Sequence, residues 1–273
     1  ERLADLRDEA VARIRAYRDK PPADRVPRYL LQLPADQRHA VVVDTRRSRL
    51  YLYENVDGRP RFVADYYVSH GRLGIEKMRE GDNKTPLGVY QVTGFLPPAR
   101  LTSFYGAGAL PINYPNAWDR KQGRNGHGIW LHGTPSDTFS RPPRASDGCV
   151  VLANPDFLAL NNSLNGESVP VIISDAVEWL TLDDWQTERA EFNRALEQWR
   201  RDWESRDVER YLANYSPQFS AGGKDFAAFA RQKRDVNASR QWIKVDIRKL
   251  STFRNPGRDP LVVVTFEQDY RSD

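Results

Sequence analysis

The chain has a single cysteine among 273 residues, so no internal disulfide can staple it. A lone cysteine is ordinarily a small buried apolar residue, and only its neighbours can argue for more. Four histidines and the absence of an H-E-x-x-H run leave a metal hydrolase short of ligands. His127 and His132 differ by five positions, which on a continuous strand sends them to opposite faces. No run approaches the roughly 18 apolar residues of a membrane-spanning helix. One-sided charge is also scarce: 41 Lys and Arg face 37 Asp and Glu, a net +4. The arginines are scattered and form no basic tract, so nucleic acid is not an expected partner. The chain opens on Glu1 instead of Met, so any export segment would already be gone.

What is present is enough for real cores. Forty per cent of residues are apolar, including 7 Trp, 12 Tyr and 11 Phe, and the length suits one large or two modest domains. Residues 1–37 read as a helix and linker. Leu6, Ala10, Ile14 and Tyr17 recur at helical spacing before Pro21-Pro22, and the stripe is expected to pack against the next domain. Residues 38–175 are strand-like. Residues 40–55 (AVVVDTRRSRLYLYEN) read as a half-buried antiparallel pair with a polar turn at Thr45–Ser48. Further strands are expected in RFVADYYVSHG, GVYQVTGF, GIWLHG, CVVLAN and SVPVIIS. From 183 to 273 the period changes to helical. Phe192, Leu196, Trp199 and Trp203 share one stripe, two shorter helices come next, and two strands close the chain. The overall class is therefore α+β. The ending at Asp273, directly after an alternating strand, suggests a C-terminally incomplete sheet.

The chemistry is concentrated between His132 and Cys149. A cysteine acyl-transferase needs a thiol, a base to take its proton and donors for the oxyanion. Cys149 comes after Ser146-Asp147-Gly148 and opens an apolar strand, while His132 ends another strand just before Gly133. Glycine at 148 permits unusual dihedrals and a close substrate approach. The intervening loop, with its Arg and Pro residues, would shape one wall.

This pattern resembles the YkuD-type L,D-transpeptidase family. His132 and Cys149 are 17 positions apart, the family's spacing from His-Gly to its Ser/Thr-x-Gly-Cys turn. EGDNKTPLGVY at 80–90 matches the upstream G-D-x-x-T-P-x-G-x-Y/F landmark, and the strand pair at 40–55 matches the opening of such domains. The resemblance implies a β-rich catalytic domain in which Cys149 is the nucleophile and His132 the base. The Gly133 carbonyl would orient the imidazole, the amides of Gly148 and Cys149 would hold the oxyanion, and the resemblance implies no metal and no organic cofactor. A nucleophile of this kind is expected to label rapidly. Two departures stand out: Asp147 replaces a common His, and Val151 a common Arg or Asn two positions after the cysteine. Arg144 and Asn154 are the candidate replacements for that polar group. Ser146, Asp147, Trp130 and Thr134 complete the expected substrate contacts. Tyr114 and Trp118 are candidates for a lid, although a packed loop is the safer view. His39 and His70 carry no partner motif.

The C-terminal pattern resembles the nuclear-transport-factor-like cone fold. The two-domain combination is similar to the cell-shape-determining L,D-carboxypeptidases of helical and curved bacteria. It implies cleavage between meso-diaminopimelate and D-alanine in peptidoglycan stem tetrapeptides, in the periplasm. The alternatives are a transpeptidase making 3–3 cross-links or acting on wall-linked protein, and a non-catalytic wall-binding module. The second domain would take glycan or a wall-associated protein, or act as a spacer.

Overall fold

In the computed structural model, which describes residues 2–273, the strand His39–Asp44 is buried at every position. It pairs antiparallel with Arg49–Val56 and parallel with Pro170–Ser174. Arg59–Tyr67 and Gly88–Gln91 complete the two edges of a five-stranded sheet. Because side chains alternate, the sheet feeds two cores. Val41, Val43, Leu50, Leu52, Val171 and Ile173 face one way, onto Phe157, Leu160 and Leu164 of the helix Asn154–Leu164. Ala40, Val42, Tyr51, Tyr53 and Ile172 face the other, onto Tyr29, Leu30, Leu33, Val177 and Phe253. The expected half-buried pair is thus buried on both faces. Tyr51 and Tyr53 read as polar in an alternation, but their rings fill the second core.

A smaller sheet lies on the far side of the first core. Trp130–His132 is its middle strand, parallel to Val150–Val151 and antiparallel to Ala109–Pro111. Leu110, Leu131 and Val150 join the first core.

The N-terminal helix Arg2–Arg18 forms, but its apolar stripe does not pack as expected. Leu6, Ile14 and Tyr17 are 61%, 55% and 81% exposed. Arg13 anchors the helix instead. Its guanidinium pairs with Glu9, donates to Ser140 Oγ at 2.7 Å and lies 4.2 Å from the centre of the Tyr67 ring. Polar and cation–π contacts outcompete a thin stripe on an otherwise charged helix.

Two compact units emerge. One runs to Leu182 and includes Thr252–Val263; the other is Asp183–Ser251 with Val264–Asp273. In the second, helices Leu182–Glu204, Val208–Leu212 and Phe226–Ala238 precede the long strands Ile243–Arg254 and Val262–Ser272, in the order the sequence implies. Asp207 and Asp225 cap the two shorter helices by accepting from Arg210 and Ala228 amides. Trp203 stacks on Tyr211 at 5.2 Å, and Leu212, Ala230, Ile243 and Val245 close that core.

One buried hydroxyl in the catalytic unit lacks a partner. Tyr53 Oη is enclosed without a hydrogen bond, while its ring packs edge-on against Phe62. Tyr53→Phe should keep the packing and raise the unfolding free energy by about 1 kcal/mol, read as a higher denaturant midpoint. A loss of similar size would contradict the unpartnered environment.

Candidate active site

The register of the small sheet brings the two expected reactive side chains to one face. Val150 pairs with Leu131 and Val151 with His132, so Cys149 lies one step before the ladder, alongside Trp130. Leu131 and Val150 point into the core. By strand alternation, Trp130, His132, Cys149 and Val151 share the opposite face. Adjacent strands about 4.8 Å apart make Cys149 and His132 diagonal neighbours.

The turn before Cys149 is built tightly. Gly148 has φ +130°, and a Cβ there would come within 2.7 Å of the Lys84 carbonyl and 3.0 Å of Ile129 Cδ1. Only glycine fits. Ser146 Oγ donates to the Cys149 carbonyl at 2.6 Å and accepts from the Gly148 amide at 3.1 Å. Gly148 N–H is therefore engaged within the turn. The Cys149 amide donates to no described residue and is the donor that remains. Ser146 holds the turn.

The upstream landmark has a structural reason for its residue types. Thr85 Oγ1 donates to the Gly148 carbonyl at 2.8 Å and accepts from the Gly71 amide at 2.9 Å. Asp82 gathers Lys77 Nζ at 2.8 Å and the amides of Met78, Arg79 and Lys84. The Gly-Asp-x-x-Thr run is a bracket behind the cysteine turn.

On the histidine side, His132 is buried, and its Nδ1 lies 2.6 Å from the Gly133 carbonyl. A carbonyl only accepts, so Nδ1 carries the proton and Nε2 is left as the base. Gly133 is needed for space: a Cβ there would collide with Asn154 Oδ1. That oxygen accepts from Ala107 N at 2.8 Å and Thr134 N at 3.1 Å, while Asn154 Nδ2 donates to the Thr134 carbonyl at 2.7 Å. Asn154 and Thr134 thus fasten the loop behind His132, and neither presents its polar group as a substrate contact.

The remaining candidates divide. Trp130 lines the site, its ring 4.8 Å from Tyr105, which in turn lies 5.0 Å from His132. Asp147 is exposed and pairs with Arg72 at 3.1 Å. Arg144 belongs to the short strand Arg144–Ser146, paired with His70–Gly71, and lines a cavity beside His70 and the N-terminal helix. Tyr114 is buried, with its hydroxyl donating to the Asn125 carbonyl at 3.0 Å, and Trp118 Nε1 donates to Asp259 at 3.0 Å. These are packed side chains and not a lid. His39 is tied to Glu167 at 2.8 Å. His127 is exposed beside Glu80. Among the described residues there is no His/Cys/Asp/Glu group able to hold a metal ion, and no helix long and apolar enough to cross a membrane.

Phe104, Tyr105 and Arg141 are not singled out by the sequence. The two aromatics come from the turn Ser103–Tyr105, far from either motif, and no spacing rule points to them. Arg141 is one of the loop arginines between His132 and Cys149, and its Cζ lies 4.8 Å from the centre of the Phe104 ring.

Residues 38–173 match the family model of the YkuD L,D-transpeptidase catalytic domain, and residues 191–273 that of the Cds6 C-terminal NTF2-like domain. The chain joins a YkuD-type catalytic domain to an NTF2-like domain. Its catalytic half thus belongs to a cysteine-dependent, peptidoglycan-related L,D-enzyme family. Among solved structures, Bd1075 of Bdellovibrio bacteriovorus is 28% identical, with a TM-score of 0.80 over 92% of this chain and 88% of that one. The helical cell shape determining protein Pgp2 of Campylobacter jejuni is 25% identical, with a TM-score of 0.74 over 90% of this chain and 85% of that one. No curated protein sequence matches the chain.

In this YkuD-type domain burial dominates the electrostatics. It pushes the Cys149 thiol up to about 11, against smaller opposing pulls from the Trp130 amide, Arg141 and Lys77. Burial also pushes His132 down to about 4, the Gly133 carbonyl opposing and Arg141 reinforcing the shift. Sγ meanwhile donates to the Gly128 carbonyl at 3.3 Å. The resting pair is a neutral thiol and a neutral imidazole. Such a pair predicts slower labelling than a poised thiolate would show. Alkylation of Cys149 by iodoacetamide should be slow at pH 7 and climb well beyond the ordinary thiol value of about 8.5. A plateau reached by pH 7 would instead mark a preformed thiolate.

His70 is lowered to about 4 in the same way, by burial and then by Arg144. Both histidines are neutral when folded, whereas unfolded ones titrate near 6.5. Between pH 6.5 and 4 the unfolded chain binds more protons, so stability is complete above that window and falls as pH drops through it. From pH 7 to pH 5 the loss should be about 2 kcal/mol per histidine. Urea midpoints should record it, with His70→Gln and His132→Gln each flattening the slope; an unchanged slope in both variants would count against the assignment.

Proposed function

We propose that the chain is an exported, periplasmic cysteine acyl-enzyme that trims peptidoglycan stem tetrapeptides to tripeptides, an L,D-carboxypeptidase. The observation that carries this reading is the shared face of Cys149 and His132, with His132 Nδ1 bound to the Gly133 carbonyl. Cys149 Sγ attacks the carbonyl joining the L-centre of meso-diaminopimelate to the terminal D-alanine as His132 Nε2 takes the thiol proton. The Cys149 amide supports the oxyanion. Collapse breaks the C–N bond, and the imidazolium returns its proton to the departing D-alanine amine. Water, deprotonated by His132, then hydrolyses the thioester. The stem peptide leaves with a new carboxylate, and the thiol is regenerated.

The starting electrostatics are compatible with these steps. A neutral thiol beside a neutral base ionises only as the proton moves, so the nucleophile is generated with substrate in place. Water as the acceptor is supported by the likeness to Pgp2, which is described as a cell shape determinant. An amine acceptor would use the same acyl-enzyme and give a 3–3 cross-link.

Incubation with purified disaccharide-tetrapeptide should yield tripeptide and free D-alanine by mass. Cys149→Ala and His132→Gln should each lower the rate by about 1000-fold or more. Cross-linked dimers without tripeptide would replace trimming by transpeptidation. No turnover by the folded wild-type protein would leave a binding module.

A further inference from the structure

The family pattern places a polar group two positions after the nucleophile, and this chain has Val151 there, buried. Neither expected replacement fills the gap. Asn154 is committed to Thr134 and Ala107, and Arg144 lines the cavity beside His70. Lys77 is near enough to influence Cys149, but it is buried and neutralised by Asp82 at 2.8 Å. Of the two cations that act on Cys149, that leaves Arg141.

Arg141 is half-buried and acts electrostatically on both Cys149 and His132. Among the described residues it forms no ion pair. The one other charge that acts on it at a distance, Asp147, is paired with Arg72. The Arg141 Cζ lies over the Phe104 ring, 4.8 Å from its centre, and that ring lies 5.9 Å from the His132 ring. Its own carbonyl is fixed by the Tyr67 hydroxyl at 2.8 Å. A partly desolvated arginine seated on an aromatic ring, with a fastened backbone and no carboxylate of its own among the described residues, is prepared for an anionic ligand.

We propose that Arg141 is the specificity residue of this site, binding the C-terminal carboxylate of the stem peptide's terminal D-alanine. The inference rests on the reading of Cys149 as the nucleophile. In the substrate, that carboxylate is separated from the attacked carbonyl carbon only by the scissile nitrogen and one Cα. A cation close to both thiol and base is where it would fall. The second carboxylate of diaminopimelate stands at the end of a flexible side chain, further off. The ion pair would make the enzyme read the free end of the peptide, so that stems extended beyond the fourth residue or capped there are poor substrates.

The test compares the free-acid tetrapeptide, its D-alaninamide counterpart and a tetrapeptide with lysine in place of diaminopimelate. Wild type should favour acid over amide in kcat/KM by about 10- to 100-fold, the range of a charge-assisted hydrogen bond. Arg141→Met should remove that preference, mainly by raising KM for the acid, and leave the amide within about threefold of wild type. Arg141→Lys should retain part of it. The lysine substrate should carry the same penalty with and without Arg141. A wild-type acid-to-amide ratio retained in Arg141→Met overturns the assignment while leaving the acyl-enzyme reading intact. So does a lysine penalty that disappears in that variant, since Arg141 would then hold the diaminopimelate carboxylate. If wild type releases D-alanine from no substrate, the reading of the reaction falls first. Should Arg141→Met lose turnover altogether, binding of acid and amide peptides to Cys149→Ala, with and without Arg141→Met, gives the same comparison.

Discussion

Two parallel residue pairs, Val150 with Leu131 and Val151 with His132, decide whether this domain has a reactive site. Parallel strands of two and three residues are weak on their own, so the register has to be held from outside. Leu131 and Val150 are sunk in the main core. A slip by one residue would turn them to the site and bury Cys149 and His132 in their place. Thr85 clamps the Gly148 carbonyl on one side of this ladder, and Asn154 fastens the Gly133–Thr134 backbone on the other. Much of the sequence motif is thus framework for a short ladder, and only a small part of it is reactive.

The same burial that secures the ladder sets the electrostatic character of the site. A thiol pushed up and an imidazole pushed down are the opposite of a pair poised as thiolate and imidazolium. Separating charge there costs free energy in the empty site, and a bound substrate must lower that cost. The Trp130 amide already acts on the sulfur in the direction of the thiolate, and the Cys149 amide, which donates to no described residue, could face a developing oxyanion. Reactivity is then conditional on occupancy, which suits an enzyme whose thiol would otherwise be exposed to oxidants.

The ordered landmarks are legible in the sequence because each is a backbone constraint written in residue type. Glycine at 148 and 133 marks places where a Cβ would collide, and Thr85 and Asp82 mark brackets. Spacing along the chain reports such features directly. It does not report which loop from elsewhere lies over the site, so Phe104, Tyr105 and Arg141 carry no signal of their own. Two readings fail for related reasons. The stripe Leu6, Ile14 and Tyr17 reads as a packing face, but Arg13 has a better anchor in Tyr67 and Ser140. Alternation in LYLY implies a wet face, yet Tyr51 and Tyr53 are large enough to be core. Gly148 is a separate case: its amide, read as a donor to the substrate, is bonded to Ser146 Oγ. Side-chain hydroxyls compete for backbone donors in ways a motif does not display.

The choice between water and an amine as acyl acceptor turns on geometry away from the sulfur. No group around Cys149 distinguishes the two, since both deprotonate through His132 Nε2. What differs is size: water needs a vacancy, whereas a second stem peptide needs an open wall. The wall here is aromatic: Tyr105 touches both Phe104 and Trp130, and Phe104 and Tyr105 lie against His132. Such rings exclude bulky polar acceptors more readily than they exclude water. Arg141 lies over Phe104, itself 47% exposed, and widening the rim for a second stem peptide would break the Phe104–Tyr105 and Tyr105–Trp130 ring contacts together.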